Sequence, residues 1–217
     1  MQVQGGCLKC GSMTQSVSLI SKGLKGLNRM SPPDWVFYPL VALALAGLIW
    51  GAMSYRPNAA QAVVTDRVFL LEGQALAQLI PGPGTRMTFL PSGYGVPVAR
   101  VSASATLEAA GGLSAGVGAF IPREFEDAVI AKRIKVEVLA QALGQDQVEL
   151  AIGYFTTGNG DSGWQTRTVG NVPQNVSFEW QVPEGDANDN ESVGVWPDVS
   201  GQGQGVLIQR IRIEILD

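Results

Sequence analysis

The chain has 217 residues, 46% of them hydrophobic and 16% charged, with a net charge of −4 and no histidine. Without histidine there is no Ser-His-Asp triad, no His-ligated zinc and no imidazole general base. The excess of acid falls after residue 56, and an acidic domain repels the phosphates of nucleic acid.

Residues 1–34 form a basic head, in which Lys9, Lys22, Lys25 and Arg29 face only Asp34. The only two cysteines, Cys7 and Cys10, stand here as Cys-Leu-Lys-Cys among Gly5, Gly6 and Gly11. No second pair or histidine completes a zinc site. The readings left are an unstructured tail, a zinc shared between two chains, or acylated thiols. Val17, Ile20, Leu24 and Leu27 lie near helical spacing among the basic residues, the pattern of an amphipathic helix on an inner leaflet, although Gly23 and Gly26 weaken it.

From Trp35 to Tyr55 the chain reads WVFYPLVALALAGLIWGAMSY, with no charge between Asp34 and Arg56. Nineteen of those residues as a helix span roughly 28 Å, close to a hydrocarbon core of about 30 Å. Aromatic residues cluster at both ends, Trp35, Phe37 and Tyr38 at one and Trp50 and Tyr55 at the other, as at headgroup level. The run exceeds a signal-peptide core of about 7–15 residues. It predicts an uncleaved transmembrane helix over 35–55 with Pro39 in its first turn. The basic head then lies in the cytoplasm and the C-terminal domain outside it.

After a linker at 56–66, residues 67–217 switch to a period of two. Alternation is clear at 101–108, 133–140, 148–155, 177–182 and 210–215, and shorter runs sit at 68–71, 87–90, 117–121, 165–169 and 192–195. One apolar and one polar face is the pattern of half-buried antiparallel strands. Turn chemistry separates them, as at Pro81-Gly82-Pro83-Gly84, Gly111-Gly112, Gly144-Gln145-Asp146 and Gly201 to Gly205. Pro122–Ile130 suits one helical turn. The expected class is all-β, an antiparallel sandwich, because no long helical crossover exists to build a parallel sheet.

One stretch carries a resemblance. A strand ending in Tyr154-Phe155 leads to a Gly/Asn loop, then to Ser162-Gly163-Trp164-Gln165-Thr166. A strand closing on Val182-Pro183 follows, then an acidic loop, Val195-Trp196-Pro197-Asp198 and a last strand. Over residues 100–216 this order resembles the galactose-binding-domain-like jelly rolls, the fold of many carbohydrate-binding modules. The resemblance implies a jelly-roll β-sandwich and leaves sugar binding, protein binding and structural roles open.

Sugar sites stack aromatic faces on pyranose rings and add amide or carboxylate hydrogen bonds. The candidates are Trp164, Gln165, Asn159, Asp161 and Asp198, with Tyr154 and Trp180 assigned to the core and Trp196 to a loop plug. Residues 184–191 pack Glu184, Asp186, Asp189 and Glu191 with Asn188 and Asn190. Oxygen ligands at Asp186, Asn188, Asn190 and Glu191 would suit a structural calcium, though Glu191 stands where an EF-hand loop turns on glycine and Pro197 where its last glutamate belongs. Sequons at Asn175 and Asn190 carry no weight in a chain of bacterial composition.

The expected protein is thus a single-pass inner-membrane protein with a periplasmic, non-catalytic binding module, for which envelope glycans are a candidate ligand. The alternative is an accessory or scaffolding subunit docking a membrane-protein partner. A carboxylate-based glycosidase is a third reading.

Overall fold

The computed structural model describes residues 33–54, 61–91, 95–110, 114–156, 160–185 and 191–217. Head residues 1–32, with Cys7 and Cys10, and linker residues 56–60 lie outside the described residues. The chain divides into two compact units, 1–57 and 58–217.

In the first unit, helix α1 runs Asp34–Ser54, 21 residues, and matches the expected span to within a residue at each end. Val36 N and Phe37 N both donate to Pro33 O, so the helix starts one residue early. Pro39 therefore falls in the second turn, not the first. Its missing N–H leaves out the bond that would reach the Trp35 carbonyl. Side chains of α1 are described for residues 35–51. Counting only those side chains, no helix among the described residues is long and apolar enough to cross a membrane.

The second unit is an antiparallel two-sheet sandwich. Its strands in chain order are β1 (Val63–Val64), β2 (Val68–Glu72), β3 (Ile80–Pro81), β4 (Thr85–Leu90), β5 (Val98–Ala103), β6 (Val117–Phe120), β7 (Arg133–Leu143), β8 (Gln147–Phe155), β9 (Gln165–Gly170), β10 (Gln174–Gln181), β11 (Ser192–Trp196) and β12 (Gly205–Ile215). A 3-10 helix, Gly73–Gln78, and two short helices, α2 (Leu107–Ala110) and α3 (Arg123–Val129), complete it. One sheet has five strands in the order β3-β6-β11-β8-β9. The other has seven, built around β12, which pairs β7 on one side and first β5, then β2, on the other. The chain passes repeatedly between the sheets, as in a jelly roll.

Alternation decides which residues meet between the sheets. Val136, Val138, Ile211 and Ile213 from one sheet and Leu150, Ile152, Val193 and Val195 from the other are all fully buried in a single core. The opposite face of the larger sheet is charged. Lys135 and Arg212 both pair with Glu137, at 2.9 and 3.3 Å, and Arg212 reaches Glu214 at 3.1 Å. The hydrogen bond from Lys135 holds the Glu137 carboxyl below the usual carboxylate range, against the opposing effect of burial.

The expected strand over 101–108 is shorter than its alternation implies. It ends at Ala103, and Leu107 opens α2 instead. Thr106 is the reason: its hydroxyl accepts from Ala109 N and caps the turn. Three elements carry too little pattern to read from sequence: β1 and β3, of two residues each, and the 3-10 helix.

Candidate functional site

The outer face of the five-stranded sheet is ordered in rows across β6, β11 and β8. Phe120, Ser192 and Phe155 lie side by side in register. The next row is all glycine, Gly118, Gly194 and Gly153. In the third row Trp196 lies beside Ala151. Bare main chain in the middle row lets other groups sit directly on the sheet. Part of it is already taken. A Cβ on Gly153 would meet Phe155 Cζ at 2.7 Å, and one on Gly194 would meet Phe155 Cε2 at 3.0 Å. The Ala115 carbonyl crosses so near Gly194 that a Cβ there would collide with it.

The covered end is closed by a tryptophan cluster. Trp164 meets Phe155 edge to face, with ring centroids 4.8 Å apart at 62°, and meets Trp196 at 6.1 Å and 78°. Trp196 is fully buried, and its Nε1 donates to Asp198 O at 3.1 Å.

The uncovered end, beyond Gly118, is a groove of about 220 Å³ between β3, β6 and the strap 114–116. Its walls are Ile80, Pro83 and Phe120, and its hydroxyls are Ser114 and Ser192. Phe120 is 63% exposed and Ile80 54%. An exposed ring beside a smooth floor, with hydroxyls at the margin, can stack a flat saturated ring or seat an apolar side chain.

The expected site residues do not converge on this groove. Trp164 is half-buried in the aromatic cluster and is not a free platform. Gln165 shares the core-facing side of β9 with Val169, opposite Ile152, and its Nε2 donates to Ser162 O at 3.2 Å. Asp161 is exposed, and its Oδ1 accepts from Thr156 N at 2.8 Å, closing the β8–β9 loop. Asp198 is a buried loop anchor. Its Oδ1 accepts from Ser200 N at 3.0 Å and Ser200 Oγ at 2.6 Å, and its Oδ2 from Gln204 N at 2.9 Å. Asn159 lies outside the described residues.

Of the expected calcium ligands, Asp186, Asn188 and Asn190 also lie outside the described residues. Glu191 does not belong to the acidic surface at all. It is 2% exposed, accepts a hydrogen bond from the Tyr154 hydroxyl, and its own N–H donates to Glu126 Oε1 at 2.9 Å. Burial pushes the Glu191 carboxyl up, Tyr154 pulls it back, and the charge of Glu126 adds to the rise. The Tyr154 hydroxyl is pushed up too, first by burial and then by Glu191. These two carboxylates are buried rather than set across a cleft, so they do not form the facing pair a glycosidase needs. Among the described residues no group of three or more acidic, histidine or cysteine side chains is placed to hold a metal.

Phe120 escaped the sequence reading. The signal was present, since Val117, Ala119 and Ile121 alternate inward and so turn Phe120 outward.

No family model matches the chain, and no curated protein matches it in sequence. Among solved structures it is similar to the CBM22-1–GH10 modules of Clostridium thermocellum endo-1,4-β-D-xylanase 10B complexed with xylohexaose (11% identity, TM-score 0.47, covering 71% of this chain and 28% of that one). It is also similar to the CBM22-1 xylan-binding domain of Paenibacillus barcinonensis Xyn10C (13%, TM-score 0.43, 73% and 99%). A third is the CBM6 module of Cellvibrio mixtus lichenase 5A in complex with cellotriose (10%, TM-score 0.35, 71% and 98%).

Proposed function

We propose that this chain is a membrane-anchored, non-catalytic binding module that takes a glycan in the groove beside Phe120. The observation that carries the ligand reading is the exposed Phe120 ring, which lines one groove with Gly118 and the serines Ser114 and Ser192. A pyranose face stacks on such a ring, and its hydroxyls find the two serines. The missing histidine and the burial of Glu126 and Glu191 support a role without catalysis.

The anchor reading rests on α1. Twenty-one helical residues are about 31 Å long, near the thickness of a hydrocarbon core. No charge follows Asp34 within the helix, and both ends carry aromatic side chains. With the basic head retained in the cytoplasm of a bacterial cell, the sandwich stands in the periplasm facing envelope polysaccharide.

A second reading, a scaffolding subunit that docks a membrane-protein partner, is favoured by one observation. The groove holds no amide or charged side chain among its lining residues, and Ile80 and Pro83 extend its apolar wall. Retention of the full chain on immobilised polysaccharides separates the two. Under the glycan reading Phe120→Ala abolishes retention and leaves the melting temperature unchanged. Equal retention of wild type and variant, or none by either, removes the glycan from the groove.

A further inference from the structure

Sheet edges expose unpaired main-chain groups, and the edges here are not treated alike. β1 and β3 are two residues long, and β3 contains Pro81. The longer edges β9 and β10 have side-chain donors on their carbonyls. Arg167 Nη1 donates to Thr166 O, Gln174 Nε2 to Thr168 O and Arg167 Nε to Ser177 O. β4 has none of these guards. Among the described strands it pairs only β5, over six residues, TRMTFL, with no proline, lysine or bulge.

The register shows which groups are open. Ser104 N donates to Gly84 O, and residues 84 and 104 continue the pairing Thr85↔Ala103. Main-chain groups alternate in direction along an antiparallel strand. Arg86, Thr88 and Leu90 therefore bond to β5, and Met87 and Phe89 turn their N–H and C=O groups to the open edge. Thr85 also points outward, but its N–H is already spent on Gly82 O.

We propose that β4 is a homodimer edge, pairing antiparallel with β4 of a second copy about a two-fold axis through Thr88. Each copy offers only Met87 and Phe89, and a two-fold can satisfy both by pairing Met87 of each copy with Phe89 of the other. A register centred on Met87 would need the Thr85 N–H and fails. Centring on Thr88 places Arg86 opposite Leu90, so the single charge on the strand meets no like charge. Met87 and Phe89, both half-buried against the core, continue the apolar layer across the junction.

The test uses the full chain with Cys7→Ser and Cys10→Ser. At the two-fold, the Thr88 pair is non-hydrogen-bonded, with Cα atoms about 4.5 Å apart, inside the range a disulfide bridges. Arg86 would sit roughly 14 Å from its counterpart, four residues along at about 3.4 Å each. Under mild oxidation Thr88→Cys should give a disulfide-linked dimer and Arg86→Cys should not. Met87→Pro, which removes an edge N–H without touching the β5 ladder, should abolish the Thr88→Cys cross-link while the thermal melt persists. A monomeric Thr88→Cys chain, or equal cross-linking of the two cysteine variants, overturns the proposal. That comparison decides the matter even if Met87→Pro unfolds, and a cross-link that survives Met87→Pro in a folded chain also overturns it.

Discussion

The Tyr154 hydroxyl donates to the buried carboxylate of Glu191, tying the end of β8 to the start of β11. Tyr154 also lies against Trp180, whose ring is 5.4 Å from its own. Glu126 of α3 closes the cluster by accepting from Glu191 N.

This cluster sets a direction of pH dependence. The folded-state pKa of Glu191 is raised above its unfolded value, mainly by burial. Its contribution to stability is therefore fully present below the unfolded pKa, about 4.3, and is lost as pH rises through the folded value. Denaturant titrations from pH 4 upward should show Glu191→Gln gaining on wild type as pH rises. A constant difference across that range would rule out titration of Glu191. Tyr154→Phe should cost about 1–3 kcal/mol by leaving a buried acceptor short of its donor.

Gly194→Ala tests the crossing of the 114–116 strap. The added methyl would collide with the Ala115 carbonyl, which is main chain and cannot rotate away. A loss of about 1–3 kcal/mol is expected, as for overpacking elsewhere. Gly144→Ala makes a useful contrast, since its added methyl meets nothing within 4 Å and only its φ of +76° opposes the change.

Trp164→Ala and Phe120→Ala should behave oppositely. Trp164 packs on Phe155 and Trp196, and its removal is expected to cost more than about 2 kcal/mol, toward the 3–5 kcal/mol of a buried tryptophan. Phe120 is mostly exposed, and its removal should stay within about 0.5 kcal/mol. Chemical denaturation of both variants checks the pair, and a stable Trp164→Ala chain would return that ring to the list of ligand platforms.

Calcium is expected to have no effect on the melting temperature. Glu191, the one described member of the proposed ligand set, already serves Tyr154. A chelator-induced drop that Asp186→Ala removes would show that residues 184–191 do hold the ion.

Topology has its own measurement. A reporter fused after Asp217 should be active only outside the cytoplasm. Activity inside would reverse the orientation, and soluble protein with an N-terminus near Ala62 would mean that the apolar run is cleaved.

Legibility followed the physics of each residue. The alternation at 133–140, 148–155 and 210–215 reports half-buried strands directly, and all three are present as β7, β8 and β12. Tyr154 was readable as core from its neighbours Ile152 and Leu150. Glu191 and Asp198 were not, because a charged side chain looks solvated until its partners are known, and Tyr154 lies 37 positions from Glu191. The glycine row escaped notice for a related reason. Gly118, Gly153 and Gly194 are isolated in the chain, and only strand register sets them side by side.

The placement of β12 bears on how the domain is made. It is the last strand in chain order and the innermost of its sheet, flanked by β7, β5 and β2. While the chain emerges from the ribosome, those three strands wait with open edges for residues 205–215. The larger sheet therefore assembles only after residues 205–215 have been made, and until then its apolar faces depend on whatever shields nascent protein from aggregation.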